Sequence, residues 1–343
     1  MPTSTPIPAV FRIDIEPDEH QPKAREHWPG FIDMVAQVEQ LRDRLSDLSG
    51  EAMHPTWFMR LDPDIERCFG HVDFVVRRHR DLFDQLIRHR DPLGIHVHAH
   101  RWDPERAVVF SDYGDDNWTR NCLTVAADVF EDCFGEPVRR SSQGGYFLSD
   151  KLLDAVVALG IEVDVTVEPG LGPRFADNSF GAYATAPSGD FRDCPQRPYY
   201  PSRQSFAVPA SSQADTRPVL IVPLTAYDYQ SLNAPLARRI AHRILGRPRQ
   251  HLPLNPWKPW PSSKIYWDLV ARAADSQPAR YFAFAVRTDA SDSATHRRVR
   301  ELLEYLPRHP VARRLRFVDP LAPEIRALAT PIPDRENGQP QHV

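Results

Sequence analysis

Leu93-Gly94-Ile95-His96-Val97-His98-Ala99-His100 runs from an apolar strand into three alternating histidines. Successive side chains of a strand point to opposite faces, so residues two apart share one face. The three imidazoles therefore face the same way, and a turn after His96 would let His96 and His100 converge as well. Imidazoles crowded together gain little from one another in water, but a divalent cation binds them well. Parity alone does not say which two would bind.

Such a site needs an acid. The first strand candidate, Val10-Phe11-Arg12-Ile13-Asp14-Ile15-Glu16-Pro17-Asp18, ends in carboxylates. Asp14 and Glu16 share parity. One could hold a metal while the other takes a proton from an attacking water. Asp18, after Pro17, is the alternative ligand.

Strand-like and helix-like segments alternate outward from these two. Strands are expected at Val10–Ile15, Thr56–Met59, Leu93–Val97, Pro137–Ser141, Ile161–Val167, Val219–Val222, Tyr281–Val286 and Leu315–Val318. Apolar spacing of three and four residues predicts helices over Phe31–Leu48, Phe74–Arg90, Trp118–Phe134, Asn233–Leu245, Ser263–Ala273 and Ser293–Leu306. Another helix starts at Ser149, a capping residue, and stops before Gly160. This alternation gives an α/β fold with a parallel sheet, and such sheets carry their sites at the C-terminal strand ends. The acids and the histidines both fall at such ends.

The reading is one domain over residues 9–330, with an N-terminal arm (1–8) and a polar C-terminal tail (331–343). An aromatic-rich irregular excursion at 168–217 is expected to cross over the site. The chain has 343 residues, 42 basic and 46 acidic side chains and a net charge of -4, which argues against nucleic acid as a partner. No apolar run nears the roughly 20 residues that span a bilayer, and the N-terminus lacks a secretory pattern, so the expected location is cytoplasmic. The four scattered cysteines read as reduced thiols. Oligomeric state is not legible.

Two further strand ends carry polar groups. Arg139-Arg140-Ser141-Ser142-Gln143-Gly144-Gly145-Tyr146 joins an arginine to a glycine turn. Asp164-Val165-Thr166-Val167-Glu168 ends in a breaker, Pro169-Gly170.

Taken together, these segments resemble the polysaccharide deacetylase (NodB homology) superfamily. Asp14-Ile15-Glu16 looks like its aspartate pair with Glu in second place. His96-Val97-His98-Ala99-His100 matches its His-x-x-x-His. Arg140 with Gly144-Gly145-Tyr146 matches its arginine and glycine turn, and Leu159-Gly160-Ile161-Glu162-Val163-Asp164-Val165-Thr166 is similar to the segment that follows. The resemblance covers residues 9–170 in order. It implies an incomplete (β/α) barrel of seven strands and a divalent metal, with zinc the expected ion. It implies Asp14 as general base, Glu16, His96 and His100 as metal ligands, and Arg140 orienting Asp14. Gly145, Tyr146 and Asp164 would line the substrate pocket.

The superfamily's late histidine, the acid for the leaving amine, is replaced here. The corresponding strand runs into Arg287-Thr288-Asp289. An arginine does not give up its proton at neutral pH, so Arg287 would bind an anionic substrate group, and His98 is the substitute acid on offer. The expected activity is hydrolysis of a non-peptide C–N bond, N-deacetylation of a sugar or glycan precursor. A carbohydrate-binding barrel without turnover and an amidohydrolase of a small nitrogenous metabolite are the alternatives.

Overall fold

The computed structural model describes residues 5–18, 28–175, 183–228, 251–257, 260–276, 280–289 and 293–329. Seven parallel strands curl into an incomplete barrel in the order β11-β1-β2-β3-β6-β7-β8. They are β1 (Ile7–Ile15), β2 (Thr56–Arg60), β3 (Leu93–Val97), β6 (Arg140–Gln143), β7 (Val163–Asp164), β8 (Leu220–Ile221) and β11 (Phe282–Arg287). An eighth, β12 (Leu315–Phe317), pairs with the lower half of β1. Two antiparallel hairpins stand off the barrel: β4 (His100–Asp103) with β5 (Val108–Ser111), and β9 (Ala226–Asp228) with β10 (His251–Pro253). The first follows the histidine run directly.

Strand parity sorts every side chain of β1. Ile7, Ala9, Phe11, Ile13 and Ile15 pack outward in the main core beneath the helices. Val10 joins a second, interior cluster with Phe58, Val163, Val165, Leu220 and Ala283, closed from below by Leu321 and Ile325. Above Val10 the same inward face carries Arg12, Asp14 and Glu16. The barrel is thus apolar at its base and charged at its C-terminal mouth. Among the described residues, no strand pairing closes the ring between β8 and β11. Thr225 bridges the gap instead: its N–H donates to Ala283 O (2.8 Å) and its Oγ1 accepts from Ala283 N (2.9 Å).

The helices are α1 (Pro29–Ser49), α2 (Pro63–Phe69), α3 (Phe74–Arg78), α4 (Arg80–Arg88), α5 (Asp116–Phe134), α6 (Asp150–Ala158), α7 (Ser263–Ser276), α8 (Ala294–Tyr305) and α9 (Pro323–Arg326). Ser149 caps α6 as expected, its Oγ accepting from Leu152 N (3.1 Å). Three expectations change. The single helix over Phe74–Arg90 breaks at His79 into α3 and α4. The first strand begins at Ile7, inside the expected arm, because Ile7 pairs with Leu315. The strand expected at Pro137–Ser141 begins at Arg140, which moves that arginine to the opposite end of the barrel from the site. The expected helix over Asn233–Leu245 and the tail 331–343 lie outside the described residues. Among the described residues, no helix is long and apolar enough to cross a membrane. The four cysteines are free.

Candidate functional site

At the mouth of the barrel a cleft of about 250 Å³ opens over β1, β3 and β6. Asp14, Glu16 and His96 line it from the strands, Tyr146 and Glu168 from one side, and Trp257 and Arg287 from the other. The hairpin β9–β10 leads the chain to Trp257, and the Arg287 guanidinium stacks over its indole at 5.3 Å.

Asp14 is gripped by Arg12, two residues before it on the same face. Arg12 Nε donates to Oδ1 (2.8 Å) and Nη2 to Oδ2 (2.7 Å), while Nη1 donates to Val165 O (2.9 Å). This buried two-pronged pair does what was expected of Arg140. Arg140 instead holds Asp319 with Nε (2.9 Å) and Nη2, and reaches Leu93 O with Nη1 (3.4 Å). It sits at the N-terminal end of β6, away from the cleft. Asp164 also misses the cleft. Val163 and Val165 point inward, so parity turns Asp164 outward, where Ser141 Oγ (2.7 Å) and Thr166 N (2.9 Å) donate to it. Of the described part of the 168–217 excursion, only Glu168 lines the cleft. The rest packs on the β4–β5 hairpin, where Ala184 bridges Ser111, and beside β8, where Tyr199 bridges Ile221.

The histidines form a continuous row. His96 Nδ1 lies 3.0 Å from Ser142 Oγ, which donates to Asp14 Oδ1 (3.4 Å). His96 Nε2 is 3.1 Å from His98 Nε2. His98 Nδ1 is 3.2 Å from His100 Nε2, and His100 Nδ1 is 3.4 Å from Asp64 Oδ2. All three rings are buried. Glu16 closes the group, with Oε1 3.3 Å from His96 Nε2 and Oε2 3.5 Å from His98 Nε2. The structure therefore brings Glu16, His96 and His98 to one point. His100 lies one ring further out, on the far side of His98. Asp18 accepts from Gly30 N (3.3 Å). The chain stays extended past the end of β3, so neighbours two apart meet and the turn that would join His96 to His100 does not form.

Hydrogen-bond chemistry fixes the polarity of this row. A carboxylate only accepts, so His100 Nδ1 donates to Asp64 and His100 Nε2 is left to accept. With one proton per ring, His98 Nδ1 then donates to His100, and its Nε2 carries a lone pair. At the other end Ser142 Oγ gives its proton to Asp14 and accepts from His96 Nδ1–H, which leaves a lone pair on His96 Nε2. Two lone pairs and a carboxylate face one another, which is repulsive unless a cation or an added proton sits among them. The two Nε2 atoms stand 3.1 Å apart, with Glu16 Oε1 3.3 Å from one and Oε2 3.5 Å from the other, close enough for one cation with bonds of about 2.0–2.1 Å to reach a group from each residue.

Electrostatics support the same form. Burial, and after it the Arg60 charge, holds His98 well below the usual imidazole range, hence neutral. Burial alone would raise the Glu16 carboxyl. Where an added proton sits on the His98 ring, its charge and the hydrogen bonds from the His96 and His98 rings outweigh burial and hold Glu16 well below the usual carboxylate range.

A glycine makes room for the row. A Cβ built on Gly144 would lie 2.0 Å from the His98 ring, so any side chain there would expel the imidazole. The next two residues adopt positive φ, 62° at Gly145 and 58° at Tyr146. A left-handed tyrosine costs about 1–2 kcal/mol, and here it sets a phenol on the cleft wall. The Glu168 charge, followed by burial, pushes that phenol up to about 12, so it stays a donor.

Sequence reasoning missed several residues of this site. Arg60, fully buried, bonds Asp62 through Nε and Nη2 (2.9 Å for the latter), Glu16 Oε2 (3.3 Å) and Asp64 Oδ2 (3.4 Å). The signal was there: Arg60-Leu61-Asp62-Pro63-Asp64 is another charged strand end. Asp289 is buried beside Arg287 Nη2 (3.1 Å). Burial pushes its carboxyl up to about 7, against the pull of Arg287 and with the push of Glu16.

No family model and no curated protein matches this chain. Solved structures do. A glycoside hydrolase/deacetylase candidate from Parabacteroides distasonis is similar over 93% of this chain and 70% of its own, with a TM-score of 0.55 at 13% identity. A candidate polysaccharide deacetylase from Mycobacterium smegmatis covers 95% of this chain and 92% of its own, with a TM-score of 0.46 at 10% identity. The fold is thus an incomplete (β/α) barrel, similar to that of the first of these structures.

Proposed function

We propose that this chain is a metal-dependent hydrolase of a non-peptide C–N bond, acting on an N-acetyl group of a sugar or glycan precursor. The observation that carries the reading is the meeting of three acceptor groups, from Glu16, His96 and His98, beside a carboxylate held by arginine on the cleft floor. The donor set, two imidazoles and a carboxylate, fits a divalent ion of the zinc type. When bound, such an ion would polarise an amide carbonyl and acidify a water.

The rest falls to the protein's own side chains. Asp14 takes a proton from water at the cleft floor, and Arg12 keeps its carboxylate aimed there. Ser142 ties Asp14 to His96, so base and ligand keep one spacing. The proton gathered on Asp14 is then available to the departing amine, which needs one. His98 does not line the cleft and is replaced in our reading as acid by this shuttle. Tyr146 donates to a substrate oxygen, with Gly145 beside it. Arg287 over Trp257 offers a flat cationic wall suited to a sugar face or an anionic substituent. A cleft of this volume is at the small end for ligand sites, which favours a short sugar or a small amide over a long polymer.

The test pairs elemental analysis of purified protein with acetate release from N-acetylated sugars, on wild type and Asp14→Asn. The reading expects bound metal in both and acetate from wild type alone. Equal acetate release from both would sink it. One observation favours a second reading, a carbohydrate-binding barrel without turnover: the Arg60 guanidinium already supplies a cation to Glu16, and the end of β11 reads Arg287-Thr288-Asp289 where the resemblance expects a histidine. Sugar binding by metal-free wild type would select that reading.

A further inference from the structure

The pair Asp64–His100 has no part in the chemistry proposed above, yet it is built with care. Asp64 sits in the first turn of α2, where Asp62 is the N-cap and accepts from Asp64 N (3.2 Å). Arg67 takes Asp64 Oδ1 with Nε (2.9 Å) and Nη2 (2.6 Å). That leaves Oδ2 facing His100 Nδ1 and Arg60 Nη2. Asp62 Oδ2 also accepts from the His98 backbone N–H (3.2 Å). The first turn of α2 thus holds both the backbone of His98 and, through His100, its ring. His100 Nε2 is engaged with His98 Nδ1, and its ring centroid lies 4.5 Å from that of His98.

We infer that Asp64 and His100 form a relay that locks His98 as its Nδ1–H tautomer and presents the His98 Nε2 lone pair to the cation. His100 is then a positioning residue and not a ligand. The inference rests on the metal-site reading given above. A ligand imidazole whose other nitrogen donates to a fixed acceptor is oriented and made more basic, and losing that partner typically costs about 10–100-fold in metal affinity.

Zinc titrated into the purified chain against a chromophoric chelator tests this. Wild type should bind one equivalent, and His98→Ala none. His100→Ala should still bind one, about 10–100-fold more weakly. His100→Gln should recover part of the loss, because an amide oxygen can accept from His98 Nδ1–H. Asp64→Asn should weaken binding in the same direction. If His100→Ala loses the zinc as His98→Ala does, or binds it as tightly as wild type, the relay is wrong. If wild type takes no zinc, the metal reading itself fails, and imidazole ¹⁵N spectra of the metal-free protein decide the relay alone. There it requires His98 protonated on Nδ1 in wild type and redistributed toward Nε2 in Asp64→Asn. The same tautomer in both would overturn it.

Discussion

Each end of the barrel holds an arginine that grips an aspartate with two nitrogens, and the two pairs do different work. At the mouth, Arg12 and Asp14 are both buried, and Asp14 faces the cleft beside Ser142 and His96. At the base, Arg140 and Asp319 are partly open to solvent, with side-chain exposures of 14% and 28%, and join β6 to the end of β12. One residue pairing thus serves as a positioned base in one place and as a brace in the other. Burial and neighbours make the difference, because the same two charges interact more strongly once water is excluded.

The largest expected effect comes from breaking the upper pair. Arg12→Met leaves Asp14 buried and uncompensated, and should cost about 3–5 kcal/mol in urea unfolding. Arg140→Met at the lower pair should cost about 1 kcal/mol or less, since solvent screens it. Equal losses would erase the contrast. Next comes Gly144→Ala, which drives a methyl into the His98 ring. An overpacked site of this kind costs about 1–3 kcal/mol, and zinc affinity should fall with it, as a chelator competition would show.

Asp289 gives a prediction in pH. Its carboxyl is raised in the fold to about 7, above its ordinary value of 3.8. The folded state therefore binds more protons between those values, and stability from this group is full below about 3.8 and lost as pH rises toward about 7. Asp289→Asn should flatten that part of the stability curve in thermal melts from pH 4 to 8 (about the range of that titration). An unchanged curve would place the titration elsewhere. The smallest expected effect is that of Ser142→Ala, which removes the acceptor on His96 Nδ1 and should weaken zinc about tenfold without altering the fold.

Much of this was legible in the chain, and the contrast between the two pairs shows why the rest was not. Alternating segments placed the acids of β1 and the imidazoles of β3 at adjacent strand ends, because a parallel sheet leaves few alternatives. The partner of Asp14 was misplaced because the resemblance pointed to Arg140, while Arg12 stood two residues away on the same face. That parity was the stronger signal. An error of three residues at the start of β6 was enough to move Arg140 to the wrong end. His100 was favoured over His98 because the resemblance supplied a His-x-x-x-His pair. The extended backbone after Val97 instead keeps i and i+2 adjacent. The α2 turn with Asp62 and Asp64 went unread because a helix of seven residues is too short to show periodicity.

The central claim is that Glu16, His96 and His98 surround one cation next to Asp14. Anomalous diffraction at the zinc edge from zinc-soaked crystals tests it most directly. The account predicts one strong peak within about 2.0–2.2 Å of the Glu16 carboxylate and the Nε2 atoms of His96 and His98. A peak bound by His100 in place of His98, or none at that point, would contradict it.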